Sequence, residues 1–300
     1  MKIKKLKGLL AAAYTPMYND GNLNLSIIEQ YSEKLKLDWL KGVFVNGTSG
    51  EGISLTIEER KKVLEEWIKY KNENFRILVH VGAQNYKDSI ILAEHAQNLG
   101  VDGIASISPT FFKPDSVNQL VNYFELIASA APQTQFYYYN IPSFTGVNIS
   151  TKEFLETGSK KIPTLAGVKF PHSEMNEMHQ SMMVGNGKID IIHGFDEMLL
   201  CGLSLGIKAA IGSTYNYMAP NYLELISAFE QGNLQEAREL QAHSVKLVEI
   251  LIRYRGGVVA GKAILSLMGI NCGPCRLPLN SLSKDEIDSL RKELESIDLF

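Results

Sequence analysis

Short runs of apolar and β-branched residues alternate along this chain with longer stretches in which apolar positions return every three or four residues. The short runs, about four to eight residues each, have the length and near-continuous hydrophobicity of strands buried on both faces of a parallel sheet. They fall at residues 8–13, 42–46, 77–82, 103–108, 135–140, 165–170, 189–194 and 207–213. Residues 57–70 read as a helix whose Val63, Trp67 and Ile68 share the inner face, with Glu58, Glu59, Arg60, Lys61 and Lys62 on the solvated side. Residues 88–99 and 116–130 repeat that pattern. Strand runs separated by helical segments predict parallel βαβ units. Eight of them predict a closed α/β barrel of the TIM, or (β/α)8, type. After the eighth run the texture changes to helices at 221–231, 234–252, 258–268 and 284–296 with no strand between them. The first completes the barrel. The expected organisation is therefore a barrel over residues 1–231 and a C-terminal helical extension over residues 232–300.

Composition narrows the function classes. Three hundred residues suit one such barrel. Hydrophobic residues at 45% and charged ones at 21% exclude a disordered or fibrous chain. Thirty basic and thirty-three acidic residues give −3, without the positive excess that a broad nucleic-acid surface needs. No apolar run approaches the roughly 18 residues that span a bilayer. The lysines before Gly8–Ala13 imitate a secretory leader, but that run continues into Tyr14-Thr15-Pro16 and reads as a buried first strand. Three cysteines, Cys201, Cys272 and Cys275, point to reduced thiols and a cytoplasmic setting. Cys272-Gly273-Pro274-Cys275 invites a zinc or redox reading, yet no second ligand pair follows, and a tight turn is expected. Neither a metal nor an organic cofactor is expected. A small molecule is the expected partner.

In a barrel of this type, chemistry sits at the C-terminal ends of the strands and in the loops after them. Five ends carry candidates. Gly47-Thr48-Ser49-Gly50-Glu51 offers two hydroxyls and exposed N–H groups to a small anion, or is a plain glycine-rich turn. In Tyr137-Tyr138-Tyr139, alternation places Tyr137 and Tyr139 on one face, and the Tyr139 hydroxyl can reach the mouth; three packing aromatics would look the same. Lys169 closes the apolar strand 165–170. Desolvation of a lysine favours the free amine, the nucleophile for a ketone, unless the side chain snorkels to water. Gly194-Phe195-Asp196-Glu197 presents two carboxylates suited to sugar hydroxyls, or Asp196 caps the next helix. Gly212-Ser213-Thr214 adds another hydroxyl beside a glycine.

Taken in register over nearly the whole chain, Gly47-Thr48-Ser49-Gly50-Glu51, Tyr139-Asn140-Ile141-Pro142, Gly167-Val168-Lys169 and Gly212-Ser213-Thr214 resemble the N-acetylneuraminate lyase and dihydrodipicolinate synthase superfamily of pyruvate-dependent class I aldolases. The resemblance implies a homotetramer of TIM barrels with a helical C-terminal extension. It implies imine formation on Lys169, proton movement by Tyr139, and a grip on the pyruvate carboxylate by Thr48 and Ser49. Phe144 stands where the synthases carry an arginine, and the 108–114 loop lacks their phenol. Both departures favour the sialic acid lyase branch, in which Gly194, Asp196, Glu197 and Ser213 would line the sugar pocket. The implied activity is reversible cleavage of N-acetylneuraminate to N-acetylmannosamine and pyruvate. Two other readings stay open. One is an aldolase or hydro-lyase for a different 2-keto-3-deoxy sugar acid, since Pro171 replaces a hydroxyl residue common in the lyases. The other is a non-catalytic keto-acid sensor.

Overall fold

The computed structural model describes residues 3–299; residues 1, 2 and 300, at the limits of the two expected segments, lie outside the described residues. Eight parallel strands close in sequence order: β1 Gly8–Ala12, β2 Gly42–Val45, β3 Arg76–His80, β4 Gly103–Ser106, β5 Phe136–Tyr139, β6 Leu165–Phe170, β7 Asp190–His193 and β8 Ala209–Gly212, with β8 pairing to β1. Each lies within or next to an expected run, because a strand covered on both faces is apolar along most of its length. Outside the barrel run α1 Ile27–Leu37, α2 Ile57–Ile68, α3 Tyr86–Asn98, α4 Val117–Ser129, the short α5 Pro142–Thr145, α6 Thr151–Lys161, α7 Met175–Met182, α8 Leu199–Leu205 and α9 Tyr215–Glu230. Then follow α10 Leu234–Arg253, α11 Gly256–Leu267 and α12 Lys284–Glu295. Among the described residues no helix is long and apolar enough to cross a membrane.

Periodicity alone does not delimit α1, α5, α6, α7 and α8. Three of these have eight residues or fewer, too short to establish a helical repeat. α9 begins six residues before the expected 221. Its first turn precedes Pro220, and the helix breaks at Met218 (φ −130°, ψ 22°), as a proline inside a helix requires.

Two apolar layers follow from strand alternation. Ile77, Val79, Tyr138, Val168 and Phe170 face the helices. Leu10, Phe44, Leu78, Tyr137, Tyr139 and Ile192 fill the barrel. β6 breaks the alternation: Leu165 pairs with Phe136, but Gly167 pairs with Tyr137, so one extra residue enters β6. This bulge puts Ala166 and Gly167 on the same side and reverses the parity after them. Lys169, register partner of Tyr139, therefore faces inward between the outward Val168 and Phe170. Gly167 permits the bulge, since a Cβ there would lie 1.8 Å from the Asp190 carbonyl oxygen.

Arg60 is not on the solvated side of α2. It is 2% exposed. Its guanidinium donates to the carbonyls of Gly82 (2.9 Å) and His80 (2.5 Å) where β3 ends, and burial pushes its pKa down to about 10. A helical wheel places Arg60 among charges, but those two strand-end carbonyls lack partners without it. The Cys272–Cys275 segment is irregular loop and no regular turn. Its backbone is spent on distant partners: the Cys272 carbonyl accepts from Met17 N (3.0 Å), and Cys275 N donates to Ser281 Oγ (2.9 Å). Burial pushes the Cys272 thiol up to about 12 and Cys275 up to about 11.

Two outcomes follow from these buried polar groups. Arg60→Met leaves two buried carbonyls unpaired and is expected to cost about 2–4 kcal/mol in urea denaturation, far more than a surface arginine. His193, fully buried behind β7 and donating from Nε2 to the Phe195 carbonyl (2.8 Å), has its pKa pushed down to about 4, chiefly by burial, with the Lys169 charge adding to the effect. The unfolded chain takes up this proton below about 6.5, before the folded one does. Stability from His193 is thus complete above that pH and is lost as pH falls towards 4, by roughly 3 kcal/mol. Denaturation midpoints between pH 7.5 and 4 should fall less steeply in His193→Gln.

Candidate active site

The loop after β2 is held from several sides. Asn46 and Glu51 both take left-handed backbone conformations (φ 58° and 53°), which fold the segment back on itself. Glu51 N donates to the Thr48 carbonyl (3.0 Å) and Gly52 N to the Gly47 carbonyl (3.1 Å). The Thr15 hydroxyl donates to the Gly50 carbonyl (2.6 Å). Among the described residues, the N–H groups of Thr48 and Ser49 donate to no protein acceptor. Two free amide donors and two hydroxyls on one tight loop form a nest for an anion.

Tyr139 stands opposite that loop. Its Oη lies 3.0 Å from Thr48 Oγ1. Phe44 and His80 meet its ring edge-on, with centroids 5.5 and 5.9 Å away, so the phenol has little freedom to swing. His80 is itself fixed. Nδ1 approaches the Asn46 carbonyl (3.1 Å) and Ile107 N approaches Nε2 (3.4 Å), an arrangement that assigns the proton to Nδ1. Burial, reinforced by the Arg60 charge, holds His80 well below the usual imidazole range and therefore neutral.

Lys169 is 4% exposed, so it does not snorkel. Its Nζ sits 4.1 Å from the Tyr139 ring centroid and 5.7 Å from that of Phe44, with no ion-pair partner among the described residues. The other fully buried lysine, Lys262, differs: it is paired with Glu51 at 2.6 Å. Aromatic faces stabilise a cation only modestly compared with a carboxylate, and they do not block an amine from reacting.

The loops after β7 and β8 form the opposite side. Asp196 does not cap the helix that follows it. It lies inside the short turn Asp196–Met198, where no side-chain cap forms. Its Oδ2 instead accepts from Thr214 N (3.0 Å) and Thr214 Oγ1 (2.7 Å), linking the loop after β7 to the loop after the neighbouring β8. Burial raises the Asp196 pKa against those two hydrogen bonds and the Lys169 charge. Glu197 is half-buried and also raised, by burial and by the charge of Asp196. Gly212 makes room for Asp196: a Cβ there would sit 1.7 Å from Oδ1.

All eight expected site residues (Thr48, Ser49, Tyr139, Lys169, Gly194, Asp196, Glu197 and Ser213) line one open cavity of about 320 Å³. Pro171 and Phe144 line it as well. The far wall comes from residues that motif reading does not single out: Val248, Leu251 and Ile252 of α10 and Val258 of α11. Their apolar spacing was visible as a helix face, but nothing in the spacing said that the face meets the barrel mouth. A cavity with an amine, a phenol and an anion nest at one end and carboxylates at the other suits a small keto acid with a polar tail.

Comparison with known proteins agrees with the fold. Residues 5–297 match the profile of the dihydrodipicolinate synthetase family. The chain is 42% identical to "N-acetylneuraminate lyase A" of Xenopus laevis, over 99% of this chain and 98% of that one. It is 41% identical to "N-acetylneuraminate lyase" of Homo sapiens, over 99% and 94% respectively. A solved structure, "Proteus mirabilis N-acetylneuraminate lyase", superposes with a TM-score of 0.96 at 38% identity and covers 99% of this chain and 100% of its own.

Proposed function

The chain belongs to the dihydrodipicolinate synthetase family, and we propose that it is a class I aldolase that cleaves N-acetylneuraminate reversibly to N-acetylmannosamine and pyruvate. Full-length relatives bearing the lyase name support this reading. The observation that carries it is the Lys169 amine, unpaired and inward-facing, beside the Tyr139 phenol.

The Lys169 amine attacks the C2 carbonyl of the open-chain substrate, and loss of water gives a protonated imine. The Thr48 and Ser49 hydroxyls and N–H groups hold the carboxylate. Tyr139, hydrogen-bonded to Thr48 at 3.0 Å, gives its phenol proton to the departing water and, as the phenolate, accepts the proton of the C4 hydroxyl. As the C4 carbonyl forms, the C3–C4 bond breaks and its electron pair moves into the imine. N-acetylmannosamine leaves and an enamine remains on Lys169. Protonation at C3 and hydrolysis of the imine release pyruvate and restore the amine. The imine itself is the electron sink, so the chemistry needs neither a metal nor a nicotinamide. Gly194, Asp196, Glu197 and Ser213 receive the hydroxylated tail. Pro171, in the cavity wall without a hydroxyl, favours one second reading: the preferred tail belongs to a different 2-keto-3-deoxy sugar acid. Pyruvate release from a panel of such acids separates the two. The reading extends to a homotetrameric assembly in the cytoplasm, in keeping with the family resemblance and three free cysteines; light scattering at four times 33.4 kDa is the expected result.

Pyruvate with borohydride should add one reduced adduct per chain, mapping to Lys169, and Lys169→Ala should abolish it; an adduct persisting in that variant would exclude Lys169 as the nucleophile. Asp196→Ala and Gly212→Ala should keep the adduct. Their turnover of the sugar acid should fall at least about tenfold, because each removes or displaces the same carboxylate.

A further inference from the structure

Glu51 and Lys262 form an ion pair directly behind the Thr48–Ser49 nest. Glu51 is 5% exposed and Lys262 2%, with Oε1 and Nζ 2.6 Å apart. Each has a further partner. Lys262 Nζ donates to the Pro274 carbonyl (2.8 Å), and Glu51 Oε2 accepts from Arg276 N (2.6 Å). The Arg276 guanidinium reaches the start of α2, donating to both carboxylate oxygens of Glu59 (2.7 and 2.7 Å) and to the Ser54 carbonyl (3.0 Å). The C-terminal segment 262–276 is thereby fastened to the middle of the loop that joins β2 to α2 and to the start of α2.

A buried pair of this kind is generally no more stabilising than apolar residues of equal volume, because desolvation offsets the attraction. What it supplies is direction. A carboxylate with two charged or polar donors in fixed places can be satisfied in one position only. Glu51 also ends the nest in a left-handed conformation uncommon for a residue with a Cβ, so something must hold it there. One of its oxygens is engaged by Lys262 and the other by Arg276 N, and it is not among the cavity-lining residues.

We propose that Glu51 is a positioning residue for keto-acid binding: through Lys262 and Arg276 N it fixes the turn so that the Thr48 and Ser49 donors face the substrate carboxylate. On this view α11 and the loop after it belong to the binding machinery. The proposal rests on the aldolase reading of the site.

The test uses the full chain and four variants: Glu51→Gln, Lys262→Met, the double variant and Lys262→Arg. Condensation kinetics give KM for pyruvate, KM for N-acetylmannosamine and kcat, and urea denaturation follows the fold. Either neutral single variant is expected to raise KM for pyruvate about tenfold or more. KM for N-acetylmannosamine and kcat at saturating pyruvate should stay within about twofold. Lys262→Arg should restore most of the pyruvate affinity. The double variant leaves no charge unpaired, so its stability should recover while its KM for pyruvate stays high. A purely structural pair would recover both together, and that result overturns the proposal. So does an unchanged KM for pyruvate in folded variants. If the single variants fail to fold, the double variant and Lys262→Arg carry the same comparison. Borohydride trapping of pyruvate by the unmodified chain separates the two claims: no adduct removes the aldolase reading and this inference together, whereas a normal adduct with an unchanged KM in the variants removes the inference alone.

Discussion

A lysine amine confined to the inner face of a closed parallel barrel, with aromatic rings for neighbours in place of carboxylates, is the condition on which the rest of the site rests. Burying such a group without a counter-ion is costly unless the surroundings are prepared for it. Here the preparation is geometric. One extra residue in β6 reverses the pleat, and Lys169 turns towards Tyr139 when plain alternation from Leu165 would send it out among the helices. The bulge in turn depends on Gly167, against which the backbone of β7 packs too closely for any side chain. One residue without a Cβ thus decides on which side of the wall the amine stands.

Around that amine the polar groups fall into two sets. Those lining the cavity carry unspent hydrogen-bonding capacity, as the Thr48 and Ser49 N–H groups do. Those behind the wall are committed to one another. Arg60 holds strand-end carbonyls, neutral His80 braces the Tyr139 ring, and Glu51 is fastened by Lys262 and the backbone of Arg276. The committed set cannot move without leaving a buried group unpaired, so the uncommitted set is presented in a fixed arrangement. The C-terminal helices take part in both, closing the cavity with Val248, Leu251 and Val258 and anchoring the loop through Lys262.

The barrel was legible because a strand buried on both faces has little freedom in composition; most of its residues are apolar or small, and eight such runs stand out. The site ends of those strands were legible for the opposite reason. A lysine, a tyrosine, paired hydroxyls and paired carboxylates conflict with that composition, and such conflicts mark places where folding yields to chemistry. Arg60 was misread because a helical wheel assigns an arginine to solvent, whereas its long stem lets the head reach a buried carbonyl from a boundary position. The start of α9 was missed because Pro220 looks like a beginning when it is an interruption.

Local pattern, then, determined the eight strands, the closed barrel, the longer amphipathic helices, and the eight residues expected at the barrel mouth, because period and composition are properties of neighbours in the chain. The tertiary structure alone decided which way Lys169 points, that Asp196 reaches across to Thr214 when it could have capped its own turn, and that Glu51 finds its counter-ion in a helix more than two hundred residues away. Each of these depends on a distance between segments remote in sequence, and such distances exist only once the chain has closed on itself.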